Sequence, residues 1–143
     1  MRCLLALLVI LTSPVFAMAG EQDKLLSLVA DYADHKQRVQ DFRAARGKGS
    51  SRDTGQLIEL KRELLMAIKA VDEYRARLLR SRQEVVAHDV PLALKYAYLA
   101  MFHVISMELD HTLYRSDLAL ALSEKYVDIW LAVDPSIPVM AAP

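Results

Sequence analysis

The chain reads as all-α: a bundle of three long antiparallel helices, or four if the last one breaks near residues 111–117, behind a cleaved signal peptide. Three observations predict this. From Leu25 onward, apolar residues recur at spacings of three and four, which places them on one face of successive helices. From Leu92 to Ala132 there is no Gly or Pro, and the first sixteen of those residues are almost wholly apolar. Beyond the N-terminal segment no strand-like alternation occurs.

The N-terminal segment is the signal peptide, residues 1–19. Arg2 supplies the positive end, Cys3 to Leu11 the apolar core, and Ala17-Met18-Ala19 the small-residue cleavage site. The apolar run is too short to anchor a chain across a hydrocarbon layer of ~30 Å. Cleavage after Ala19 leaves 143 − 19 = 124 residues. That is enough for one domain with a core of its own. The only cysteine, Cys3, departs with the leader. The exported chain is then held by packing alone, with no disulfide and no thiol chemistry.

The helical bundle domain is expected over residues 20–133. The first helix spans residues 21–45, with Leu25, Leu28, Tyr32, His35, Val39 and Phe42 on one face. Arg46-Gly47-Lys48-Gly49-Ser50-Ser51 is a linker, since glycine and serine resist helix and offer little to bury. Asp53 or Thr54 caps the second helix, which is expected to run to about Ala87. Leu57, Leu60, Leu64, Ala67, Val71, Tyr74, Leu78, Ser81 and Val85 form a heptad stripe there, a pattern that favours long, nearly antiparallel packing. Ile58, Leu65, Ile68 and Leu79 form a second apolar edge, expected to meet another neighbour.

His88-Asp89-Val90-Pro91 breaks the chain, with Pro91 suited to a first helical turn. The third helix carries Leu94, Tyr98, Met101, Ile105, Leu109, Thr112, Ser116, Leu120, Ser123, Val127 and Trp130 on one stripe. Thr112 and Ser116 weaken that stripe, which is why a break between residues 111 and 117 would give a fourth helix. Residues 134–143 form an extended, Pro-containing tail.

Formal net charge is zero, but the charges are unevenly spread. Residues 36–82 hold thirteen Lys/Arg against six Asp/Glu, and residues 84–134 hold three against eight. Basic and acidic segments of one bundle can complement each other. Nucleic acid is not expected as a partner, because nucleic-acid binders show an overall basic balance with interleaved aromatics.

Chemistry-bearing patterns are sparse. His103, Met107, Glu108 and His111 include one Glu-x-x-His, the spacing that aims a carboxylate and an imidazole at one ion in di-iron bundles. Such sites use the motif twice, and here it occurs once. Without Cys-x-x-Cys-His there is no covalently attached haem. Non-covalent haem would use His35, opposed by Met101 or Met107. Arg75, Arg77, Arg80 and Arg82 cluster late in the second helix and could clamp an anionic substrate. The same residues also serve as a solvated face. No cofactor is expected, and no catalytic constellation is visible.

Binding is the better reading. An apolar helix must be covered on all its sides, and residues 92–107 are apolar nearly all round. Tyr96, Leu99, Phe102 and Val104 are therefore the expected partner-binding residues, for a protein partner or a second copy. A membrane surface is the lesser alternative. The expectation is an exported accessory or interaction protein of the bacterial cell envelope, periplasmic or secreted, without catalytic activity. The alternatives are a metal- or haem-binding bundle and a small helical envelope enzyme.

Overall fold

The computed structural model describes residues 14–46, 54–81 and 90–135. Among these there are four helices and no strand: α1 (Pro14–Arg46), α2 (Thr54–Arg80), α3 (Val90–Tyr114) and α4 (Asp117–Val133). The expected linker after Arg46, most of the expected break before Pro91 and most of the expected tail lie outside the described residues, as do the first thirteen residues of the expected leader. The chain divides into two units, residues 1–31 and 32–143. In the first unit, helix begins at Pro14 and runs through Ala17-Met18-Ala19. The second unit holds the bundle.

Within the bundle α3 lies between α2 and α4. Lys95 pairs with Asp72 while Lys61 lies over the Phe102 ring, so α2 and α3 run in opposite directions. Ser123 meets Glu108 while Tyr126 meets His103, so α3 and α4 do too. Residues 32–46 of α1 reach all three through side chains: Arg38 to Glu63 of α2, Tyr32 to Tyr98 of α3, and Arg43 to Glu124 of α4.

The helical stripes explain the core. On α2, Leu57, Leu60, Leu64, Val71 and Leu78 have no exposure, and Tyr74 and Ile68 have little. This is the expected heptad as far as Leu78, with Ile68 in place of Ala67; Ser81, expected on the stripe, is exposed, and Val85 lies outside the described residues. The expected second edge is different: Ile58, Leu65 and Leu79 are exposed, because α2 has only one packed side among the described residues. On α3, Leu94, Ala97, Met101, Val104 and Ile105 are wholly buried. α2 runs to Arg80 with a turn at Ser81, and the rest of the expected extension to Ala87 lies outside the described residues.

The long last helix is two helices. At Arg115 the backbone enters the left-handed region, φ 52°, which a side chain with a Cβ adopts at some cost. The turn is tied on both sides. Arg115 N donates to His111 O at 2.8 Å, His111 Nδ1 lies 3.0 Å from Ser116 O, and the Ser116 hydroxyl accepts from Ala119 N as the cap of α4. The break also moves the buried stripe, so that Ala119 rather than Leu120 is buried beside Ser123, Val127 and Trp130.

Adjacent leucines on α2 give a direct test of the stripe. Leu64→Ala is expected to cost about 2–5 kcal/mol, as for other buried leucines. Leu65→Ala is expected to change stability by less than about 0.5 kcal/mol, as at exposed positions. Denaturant unfolding of the two variants measures both.

Candidate functional site: the bundle interior and the outer face of α3

Three polar clusters tie residues 32–46 of α1 to the other helices. In the first, Glu108 has no exposure. Its Oε1 accepts from Arg46 at 2.6 Å and from the Ser123 hydroxyl at 2.7 Å. Arg46 also donates to Glu124, which Arg43 reaches at 2.6 Å. The Arg46 hydrogen bond, ahead of the two nearby positive charges, holds the Glu124 carboxyl below the usual carboxylate range. A buried carboxylate needs such partners, because desolvation alone would force it to take up a proton.

In the second cluster the Trp130 indole N–H donates to the Tyr32 hydroxyl at 2.8 Å. Tyr32 also hydrogen-bonds Asp134, which Lys36 pairs. Asp134, expected in the tail, is buried at the C-cap of α4 and belongs to the fold. Burial, more than the neighbouring Asp134, pushes the Tyr32 phenol upward.

The third cluster is His35, Tyr98, Glu63 and Arg38. His35 Nδ1 and the Tyr98 hydroxyl are 3.2 Å apart, and His35 Nε2 lies 3.6 Å from Glu63. Arg38 grips Glu63 through both terminal nitrogens, and this bond is the main reason the Glu63 carboxyl is lowered and the Arg38 guanidinium raised.

These clusters account for several of the sequence candidates. Of the metal set, Glu108 is held by Arg46 and Ser123, His111 faces the Ser116 carbonyl, and His103 stacks on Tyr126 with centroids 4.6 Å apart. Met107 is half-buried beside them. Among the described residues no group of three or more His, Cys, Asp or Glu is placed to hold one ion. Of the arginine set, Arg75 lies 3.9 Å from Asp72 and Arg77 lies over the Tyr74 ring. Those two point about 200° apart around the helix, so α2 does not gather them into one clamp. Arg80 ends α2, and Arg82 lies outside the described residues.

The partner-binding set divides. Val104 points into the core with no exposure, so it is not available on the surface. Its side of α3 is covered from within the chain. Tyr96, Leu99 and Phe102 share the opposite, outward side: Tyr96 is 50% exposed, and Leu99 and Phe102 are half-buried. With Leu92, His103 and Met107 they make a mostly apolar outward stripe along α3, with Lys95 and Asp110 in line with it toward its two ends. α3 is long and apolar enough to cross a membrane by length and composition, but half of its most apolar window is buried inside the fold. No family model, no curated protein and no solved structure matches the chain.

Sequence reasoning singled out Glu108 only for its spacing to His111. Its position four after Val104 and three after Ile105 places it on the core face, and that signal marks it as a buried, paired carboxylate. Arg46→Met is expected to destabilise the fold by on the order of 3 kcal/mol, because it strands the buried carboxylate, and a second change, Glu108→Leu, is expected to recover much of the loss. A double-mutant cycle in denaturant measures this.

The lowered Glu63 and Glu124 carboxyls set an acid dependence. The unfolded chain binds protons on them first, so the stability they supply is complete well above about pH 4.3 and is lost as pH falls through their lower folded values. Melting temperature is expected to drop on acidification, and less so in a Glu63→Gln, Glu124→Gln variant. A pH series of thermal melts reads both.

Proposed function

We propose that this is an exported, non-catalytic interaction protein of the bacterial cell envelope, which binds another polypeptide through the outward stripe of α3. The observation that carries the reading is the chemistry of that stripe. A bundle helix ordinarily turns charged residues to water; the outward side of α2 mixes Glu59, Arg62, Lys69 and Glu73 with the exposed Ile58, Leu65, Met66 and Leu79. The outward side of α3 carries fewer charges, with the half-exposed Tyr96 among the half-buried Leu92, Leu99, Phe102 and Met107. Aromatic and Met residues of this kind are enriched in interface cores. The polar groups inside the bundle are engaged with one another, which supports a structural rather than a catalytic part for them.

Export rests on the leader in residues 1–19, with its single positive residue, apolar core and Ala17-Met18-Ala19 site. The exported form is expected to begin at Gly20. Intact mass of protein recovered from the envelope checks this, and a mass that retains residues 1–19 would contradict it. For the binding face, wild type diluted below any self-association is expected to take up a hydrophobic dye such as ANS, and Tyr96→Glu is expected to abolish the uptake with little change in melting temperature. Dye fluorescence read beside circular dichroism tests the assignment; uptake unchanged in the variant would move the binding surface away from α3.

A further inference from the structure

We propose that the occupant of the outward stripe is a second copy of this chain, paired antiparallel, α3 against α3, about a two-fold axis at Phe102 and His103. This rests on the reading of that stripe as a binding face.

A two-fold interface must be complementary to itself, so that each residue meets in the other copy the residue at the mirrored distance from the axis. The α3 stripe has that property. Phe102 and His103 lie midway between Lys95 and Asp110 in the sequence. With the axis between them, Lys95 of each copy falls opposite Asp110 of the other, about 11 Å along the helix from the centre on either side. Leu99 falls against the stretch Ser106 to Met107, and Leu92 against Leu113, which is 51% exposed. The centre is apolar and aromatic, and the opposite charges sit where they meet. In a parallel pairing Lys95 would meet Lys95 and Asp110 would meet Asp110, and like charges opposed across an interface oppose association.

Asp110 is half-buried and makes no ion pair among the described residues. Lys95 pairs with Asp72 at 2.7 Å, a bond that fixes its ammonium on this side of the bundle. Lys61, over the Phe102 ring at 5.3 Å, is the like charge nearest the axis, and the pairing requires it to lie outward along α2.

The test combines mass, charge exchange and cross-linking. Analytical ultracentrifugation of the exported protein is expected to show a dimer across the micromolar range. Asp110→Lys is expected to weaken it at least tenfold, and the exchange Lys95→Asp with Asp110→Lys to restore it, with melting temperature checked for each variant. In the exported protein, which on this reading has no native cysteine, His103→Cys is expected to cross-link through a short bismaleimide, because that site lies at the axis. Tyr96→Cys is expected not to, because its two copies are held apart at opposite ends. Efficient cross-linking at Tyr96→Cys, or failure of the charge exchange to restore the dimer, would overturn the antiparallel pairing. A monomer that still takes up dye in a Tyr96-dependent way would overturn self-pairing and leave the interaction reading standing. A monomer that takes up none would remove both.

Discussion

The carboxylate of Glu108 sets the terms for the bundle. It has no exposure, and a buried charge left unpaired would cost several kcal/mol. A buried carboxylate needs a cation and a further donor, and the chain supplies Arg46 from α1 and Ser123 from α4. That requirement fixes where the end of α1 lies relative to α3 and α4. Tyr32, Lys36, Trp130 and Asp134 impose a second fix farther back along α1. Apolar stripes alone tolerate a slide of one turn, since leucine replaces leucine. Two directional polar clusters do not tolerate it, because each donor would lose its acceptor. The clusters therefore act on register, while the burial of Leu57, Leu64, Met101 and Ile105 supplies most of the driving force for folding.

The uneven charge of the sequence finds its use here. Lys36, Arg43 and Arg46 from the basic segment meet Asp134, Glu124 and Glu108 from the acidic one. A basic stretch that could be taken for an outward-facing binding patch is in part an inward-facing set of partners. The arginines late in α2 behave differently. Arg75 and Arg77 lie along their own helix, near Asp72 and Tyr74, and α2 spreads them rather than focusing them.

Much of the fold was legible because helical periodicity is a direct consequence of burial on one side. The α2 stripe and the α3 stripe from Leu94 to Ile105 could be read from spacing alone. The turn at Arg115 was legible only as a weakening at Thr112 and Ser116, since a left-handed arginine has no signature in the sequence. Its support comes from His111 and Ser116, whose roles depend on the turn already being formed. Ile58, Leu65 and Leu79 misled, because an apolar edge on a helix does not say whether a neighbour exists to cover it. Val104 misled for the opposite reason. A helix apolar on every side gives no sequence signal for which side the chain itself covers, and only the placement of the other helices separates Val104 from Tyr96.

That separation bears on what α3 is for. The inward residues Leu94, Tyr98, Met101 and Ile105 are almost completely buried, and they are sufficient to make α3 the core helix of a small bundle. The outward residues are not needed for that. Leu92, Leu99 and Met107 are half-buried and Tyr96 is half-exposed on that side. On the proposed reading, the row Leu92, Tyr96, Leu99, Phe102 and Met107, with Lys95 and Asp110 toward its ends, meets another apolar helix rather than water.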